Sequence, residues 1–100
     1  MTPEKKVKNK VVEILKQFGC YYFYPVTGGY GSNGIPDIVA CLHGEFIGIE
    51  CKSGTNKPTA LQLRNLEDIK RAGGSTLVVN EDNLEHLRRI LKRIDDNHRL

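Results

Sequence analysis

The sequence lacks features that would place it among membrane or secreted proteins. Its longest apolar runs, such as 38–42, are about five residues, whereas a membrane-spanning helix needs about 20. The amino-terminal segment is charged and no apolar stretch follows it, so we expect no secretory signal. No internal repeat, low-complexity tract or linker interrupts the chain. These absences predict one compact domain over 1–100, located in the cytoplasm.

Cysteine and histidine are scarce and poorly grouped. The three cysteines have no CxxC spacing and no neighbouring histidine pair, which argues against a zinc site and against a disulfide framework. We expect reduced, half-buried thiols at Cys20, Cys41 and Cys51. The sequence shows no Ser–His or Cys–His arrangement for nucleophilic catalysis, because the three histidines are predicted to lie in a turn, a helix and the tail: His43, His86 and His98.

What is present is the composition of an ordinary folded domain. Hydrophobic residues make up 39% of the chain and charged residues 27%, which excludes intrinsic disorder. One hundred residues suffice for one core but not two. The net charge of +3 favours a polyanionic partner only mildly.

Hydrophobic periodicity predicts the element order αβββαβα, a sheet with helices packed against it. The first helix begins at Thr2–Pro3 and ends at Gly19. A strand-forming run and a glycine-rich loop follow, at 20–26 and 27–34. The later elements are strands 37–42 and 46–52, a helix capped by Thr59, a strand at 75–79 and a third helix after 80–82. Patterning leaves the placement of the fourth strand open.

Two carboxylates in the predicted hairpin are not explained by patterning. If His43–Gly44 is a two-residue turn, Leu42 pairs with Glu45 and Asp37 lies opposite Glu50. Like charges in that position repel, and a divalent cation such as Mg²⁺ or Mn²⁺ would compensate them. Alternatively, Asp37 caps the start of a strand while Glu50 and Lys52 form a surface ladder. A one-residue slip in register would place the carboxylates on opposite faces.

Two further polar residues fall on helix faces that should be apolar. On a helical wheel Glu4 lies about 60° from Val7 and about 20° from Leu15, so we expect it to point toward the sheet. Glu13 falls among lysines and is expected to be in water. In the second helix Gln62 also turns inward, and it is the fourth residue of a capping box as well. Gln62 is equally compatible with a capping role and with a role in the functional site. We expect its side chain to serve one role or the other in different states.

These residues together resemble the PD-(D/E)XK nuclease superfamily. Gly34–Asp37 matches the first half of its signature and Glu50–Lys52 the second. The chain is most similar to stand-alone VRR-NUC (virus-type replication-repair nuclease) domains, whose order and spacing it follows over roughly residues 4 to 80. The resemblance implies an α/β restriction-endonuclease-like core, αβββαβ, with an added carboxy-terminal helix.

The resemblance also implies a metal-dependent DNA endonuclease similar to Holliday-junction resolvases. Asp37, Glu50 and the main-chain carbonyl of Cys51 would bind Mg²⁺ or Mn²⁺, and Lys52 would act on the attacking water. Glu4 would support a second metal or its waters, and Gln62 would complete the site. Small members of the family occur in phages, which implies a bacterial or phage-infected host cell. The alternatives are a flap or end-processing DNA nuclease and a non-catalytic DNA-binding module.

DNA, branched DNA in particular, is therefore the expected partner. Lysines of the first helix, basic residues of the third helix and the polar loop residues Tyr30, Ser32 and Asn33 are candidate contacts. No base-reading module is recognisable, so we expect recognition of DNA shape rather than sequence. By size and family analogy we expect a homodimer, formed through the third helix or an edge of the sheet.

Overall fold

The computed structural model describes residues 1–26 and 34–99. Its helices and strands follow the predicted order, and the four strands form one sheet in the order β1-β2-β3-β4. Strand β2 runs antiparallel to both of its neighbours, β1 and β3, and β4 is parallel to β3. The elements are α1 (Pro3–Gln17), β1 (Tyr21–Phe23), β2 (Ile38–Leu42), β3 (Glu45–Cys51), α2 (Ala60–Arg71), β4 (Ser75–Val79) and α3 (Leu84–His98).

The main core lies between one face of the sheet and the helices α1 and α3. Because side chains alternate along a strand, Ile47, Ile49 and Cys51 of β3 all point to this face. They pack with Leu15 of α1 and Leu87 of α3, which are fully buried. Helix α2 covers part of the opposite face, over β3 and β4. The α/β fold class predicted from the sequence is therefore confirmed.

The helix boundaries follow local signals in the sequence. The Thr2 side chain accepts a hydrogen bond from the Lys5 amide, and Gly19 adopts a φ of 76° just beyond the end of α1. Thr59 and Gln62 form the predicted capping box of α2. Strand β1 is shorter than the predicted 20–26, because only three of its residues pair with β2.

Two predictions about single residues need correction. Cys20 and Cys41 are half-buried as expected, but Cys51 is fully buried because β3 directs its side chain into the core. His98, predicted to lie in the tail, is the last residue of α3. The apolar periodicity of α3 extends only to Ile94, and the helix continues one further turn through polar residues.

The hairpin register is the one predicted. His43 and Gly44 have φ values of 51° and 84°, and positive φ at both positions is typical of the two-residue turn that matches strand twist. Leu42 pairs with Glu45, and the pairing continues in step to Ile38 opposite Ile49. Asp37 and Glu50, the two carboxylates singled out in the sequence, therefore lie on the same face of the sheet at the end of this hairpin.

Strand β4 adds beside β3 rather than at the other edge of the sheet. A parallel neighbour requires a crossover connection, which α2 supplies on the face opposite α1 and α3. Among the described residues, no helix is long and apolar enough to cross a membrane.

Candidate active site

The candidate site lies where β2 begins and β3 ends. One step beyond the pair Ile38 and Ile49, the register brings Asp37 opposite Glu50. Side-chain alternation places both carboxyl groups on the face covered by α2, away from the α1–α3 core.

A backbone hydrogen bond orients the Asp37 carboxylate. The Cys51 amide donates to Asp37 Oδ2 over 2.9 Å. This contact ties the residue before β2 to the last residue of β3. The Asp37 residue itself is half-buried.

Glu50 is a buried carboxyl group with an incomplete set of partners. Its residue is 1% exposed, and it is the only polar or charged residue among the buried residues of the described chain. Oε1 accepts a hydrogen bond from Gln62, whereas the buried Oε2 has no partner among the described residues. A buried polar atom without a partner costs about 1 to 3 kcal/mol, so a retained one indicates a functional constraint.

The surroundings of Glu50 disfavour its ionised form. Burial, first of all, and then the hydrogen bonding and negative charge of Asp37 together raise the pKa of Glu50 from 4.5 to about 8. The positive charge of Lys52 acts in the opposite direction. Without a cation Glu50 therefore keeps its proton near neutral pH.

Gln62 contacts both the helix cap and Glu50 at the same time. Its Oε1 accepts a hydrogen bond from the Thr59 amide at 2.9 Å, which closes the capping box. Its Nε2 donates to Glu50 Oε1 at 3.3 Å. The expectation of one role or the other in different states is wrong, because an amide offers its oxygen to the cap and its nitrogen to the site.

Glycines allow α2 to approach the site closely. Gly34 has a φ of 94°, and a Cβ there would lie 2.7 Å from the Leu61 carbonyl carbon and 2.8 Å from the Gln62 nitrogen. On β3, a Cβ at Gly48 would lie 2.6 Å from Ile69 Cδ1. The missing side chains let the first turn of α2 bring Gln62 within reach of Glu50.

Glu4 and Lys52 complete the set of predicted side chains around the pair. Lys52 follows β3 and is half-buried, and its charge acts on Glu50. Glu4 is half-buried and its charge also reaches Glu50, although no hydrogen bond joins them among the described residues. Helix α1 packs on the sheet face opposite the pair, and the role of Glu4 stays a prediction.

The Cys51 side chain is separate from the site. Its thiol is buried in the core, and burial raises its pKa to about 12, so it remains neutral. Only its main chain contacts the carboxyl pair, because the Cys51 amide donates a hydrogen bond to Asp37.

The donors that are present fit a hard divalent cation. Within 1–26 and 34–99 no three His, Cys, Asp or Glu side chains form a cluster that could hold a metal alone. Two carboxylates with main-chain oxygen and water are nevertheless a set typical of Mg²⁺ sites, which take few protein ligands. Such a cation would give the buried Glu50 Oε2 the partner that it lacks among the described residues.

Sequence reasoning missed a histidine cluster far from this site. The rings of His43 and His98 stack at 3.8 Å, and His43 Nε2 lies 2.8 Å from Asp95 Oδ1. This contact joins the β2–β3 turn to the end of α3. It spans more than fifty residues, so no local pattern could indicate it. The predicted loop contacts Tyr30, Ser32 and Asn33 lie outside the described residues.

The fold has a PD-(D/E)XK-like core, as its structural neighbours do. A solved VRR_NUC domain matches with a TM-score of 0.68 and 23% identity, over 96% of this chain and 94% of that one. The Holliday junction resolvase Hjc of Archaeoglobus fulgidus matches with a TM-score of 0.58 and 19% identity, over 76% of this chain and 66% of that one. Both likenesses concern the fold.

Sequence comparison then gives the family. Residues 5–79 match the profile of the archaeal Holliday junction resolvase (Hjc) family, and the chain belongs to that family. It is also 32% identical over 81 residues to "Putative nuclease p44" of Acyrthosiphon pisum secondary endosymbiont phage 1, covering 80% of this chain and 84% of that protein. The prediction of a DNA nuclease similar to Holliday-junction resolvases is confirmed at this level.

Proposed function

We propose that this protein is an Mg²⁺- or Mn²⁺-dependent endonuclease that cuts branched DNA, four-way junctions in particular. The observation that carries the proposal is the Asp37–Glu50 pair, two facing carboxyl groups with an unpartnered buried oxygen. Membership of the resolvase family supports junction DNA as the substrate.

Asp37, Glu50 and the Cys51 main-chain carbonyl would hold the cation. Bound there, a divalent cation supplies positive charge to the scissile phosphate and lowers the pKa of water. The chain's own residues prepare the site, because the Cys51 amide fixes Asp37 and Gln62 fixes one oxygen of Glu50.

Lys52 is the candidate group for the reacting phosphate or the attacking water. An ammonium group donates hydrogen bonds and cannot bind a cation, so its place beside the carboxylates suits stabilisation of developing negative charge. We propose that Glu4 holds water or a second cation.

The two helix starts add to the affinity for phosphate. The charge of Glu4 in the first turn of α1 reaches Glu50, and the first turn of α2 carries Gln62, so both amino-terminal helix ends lie close to the pair. Partial positive charge at helix amino termini favours anions by about 0.3 to 1 kcal/mol each.

A cleavage panel tests the proposal. Labelled duplex, flap, fork and four-way junction DNA are incubated with wild type and Asp37→Ala, with Mg²⁺, with Mn²⁺ or with EDTA. We expect metal-dependent cutting of the junction by wild type alone. Preferential cutting of flaps or ends would indicate an end-processing nuclease, and binding of all DNAs without cutting would indicate a non-catalytic module.

We propose a homodimer that uses the sheet rather than α3. The apolar residues of α3 are buried in the hydrophobic core of the same chain, so they are not free to contact a second copy. By contrast, Tyr21, Phe23 and Phe46 share one sheet face and are 70%, 46% and 45% exposed, because α2 covers only the β3–β4 side. A second copy would bury these rings and bring two sites to a symmetric junction.

Sedimentation equilibrium tests the dimer. We expect wild type to sediment as a dimer and Phe23→Glu as a folded monomer, with circular dichroism as the check on folding. A wild-type monomer, or a dimer unaffected by Phe23→Glu, would contradict this interface. Since a relative is a phage protein, we propose that the protein acts in the cytoplasm of a bacterial or phage-infected cell.

A further inference from the structure

The positive charge of the chain is concentrated in one helix. Helix α1 contains five lysines and two glutamates, which gives +5 − 2 = +3. The whole chain has 15 basic and 12 acidic residues and the same net charge of +3. Outside α1 the remaining ten basic and ten acidic residues therefore cancel.

The lysines of α1 form no ion pairs among the described residues, although Glu81 lies in the same groove as Lys6 and Lys10. None of the ion pairs among the described residues involves an α1 lysine. Helix α3 differs, since Arg88 pairs with Glu85 and Lys92 with Asp96. An unpaired charged surface retains its full attraction for a partner of opposite sign.

Four of these lysines form one exposed surface, here called the lysine face: Lys5, Lys6, Lys10 and Lys16. At about 100° per residue they fall within an arc of about 140°, on the side of α1 away from its buried residues. Lys8 lies outside the arc and is half-buried, with its ammonium 5.6 Å from the centre of the Tyr24 ring. Glu13 lies within the arc and is the one acid there.

The lysine face begins next to the candidate active site. Lys6 and Lys10 line a small groove with Glu81, and Glu81 accepts a hydrogen bond from the amide of Gly54, two residues after Lys52. The first turn of α1 also carries Glu4, whose charge reaches Glu50. The amino-terminal end of α1 therefore lies near the end of β3, where the carboxyl pair occupies the opposite face of the sheet.

The dimensions of α1 match a nucleic-acid backbone. Its 15 residues extend about 22 Å at about 1.5 Å per residue. One strand of B-DNA presents a phosphate about every 3.4 Å, which places about six phosphates along that length. The four exposed lysines span about 16 Å of that length, so their ammonium groups can reach several phosphates of one strand without any change in the fold.

We infer that the lysine face is the main DNA-backbone contact of this protein and guides one duplex arm to the Asp37–Glu50 site. This inference rests on the proposed function, since it takes DNA as the substrate. It also gives Glu13 a role, because a carboxylate in the middle of the surface weakens binding.

Equilibrium binding of a labelled four-way junction in EDTA tests the inference over a range of salt concentrations. Lys6→Gln/Lys10→Gln should bind at least about tenfold more weakly at 100 mM salt, and the slope of log K against log salt should fall by about 1.8. Arg89→Gln/Arg93→Gln on α3 is the matched control, since it removes two exposed charges outside any ion pair among the described residues. Glu13→Gln should bind about twofold more tightly.

The outcomes separate this inference from the proposed function. Equal losses in the α1 and α3 double variants, or no loss in the α1 variant, would overturn the lysine face as the main contact. So would unchanged or weaker binding by Glu13→Gln, or no binding by wild type. Failure of wild type to cut the junction with Mn²⁺ would contradict the nuclease proposal instead, because binding in EDTA does not depend on cleavage. Thermal melting of each variant checks that the fold is intact.

Discussion

Replacement of Glu50 by glutamine should stabilise the metal-free protein at neutral pH. The folded protein raises the pKa of Glu50 from 4.5 to about 8, chiefly by burial. A group with a raised pKa contributes its full stability below the unfolded value, and this contribution is lost as pH rises through the folded value. At about 1.36 kcal/mol per pH unit, the loss between pH 4.5 and pH 8 has an upper limit of about 5 kcal/mol.

The expected gain at pH 7 is smaller than this limit. Keeping Glu50 protonated in the folded state costs about 3 kcal/mol at pH 7, because the unfolded chain would ionise it. A glutamine there avoids this cost, and it can still accept from Gln62 and donate to Asp37. Burial of its amide costs part of the gain, so we expect a net increase of about 1 to 2 kcal/mol in the free energy of unfolding.

Urea unfolding in EDTA between pH 5 and pH 8.5 measures this effect. Wild type should lose stability as pH rises, and Glu50→Gln should show a flatter profile that crosses above it. Glu13→Gln, an exposed glutamate on α1, is the matched control and should follow wild type. Parallel profiles for wild type and Glu50→Gln would refute the reasoning. Added Mn²⁺ should stabilise wild type and leave Glu50→Gln unchanged.

Three further predictions concern the surroundings of the carboxyl pair. Lys52→Ala should lose turnover but keep Mn²⁺ binding by calorimetry, and loss of binding would mean that Lys52 instead holds the carboxylates in place. Glu4→Gln should cut junction cleavage at least about tenfold at saturating DNA and Mn²⁺, whereas Glu13→Gln should leave that rate unchanged; the reverse pattern would contradict the helix phasing. Gly34→Ala should lower both the free energy of unfolding, by more than about 2 kcal/mol, and cleavage, because its Cβ would meet the α2 backbone. Gly73→Ala is its control, with a similar φ of 99° and nothing within 4 Å, and equal effects of the two would contradict the steric argument.

The hairpin could be predicted from the sequence because its determinants are local. A two-residue turn at His43–Gly44 leaves one register in which the apolar residues of both strands face the core, and that register places Asp37 opposite Glu50. The capping signals of α1 and α2 were predictable for the same reason, since each cap lies within one helical turn.

Contacts between distant segments could not be predicted in this way. The direction of β4 depends on where α2 packs, and close approach at Gly34 and Gly48 decides that. The dual role of Gln62 also follows only from this packing. The face of the sheet on which α1 packs is a tertiary property too, because it depends on contacts between distant segments.

The position of a charged residue on a helix can be predicted from the sequence, but its ion pairing cannot. The five lysines of α1 are visible in the sequence, and helical periodicity places them on one side. Whether such a charge is neutralised depends on neighbouring elements. Arg88 and Lys92 have acidic partners on their own helix, whereas the described residues provide none for the lysines of α1.

Calorimetric titration of the metal-free protein with Mn²⁺ at pH 7 tests most directly that Asp37 and Glu50 form a metal site. We predict saturable binding by wild type with release of a proton, since Glu50 is protonated near pH 7 and must ionise to bind a cation. Titration in two buffers of different ionisation enthalpy measures that proton. Asp37→Ala should abolish binding while remaining folded, and Mn²⁺ binding by Asp37→Ala equal to that of wild type would contradict the assignment.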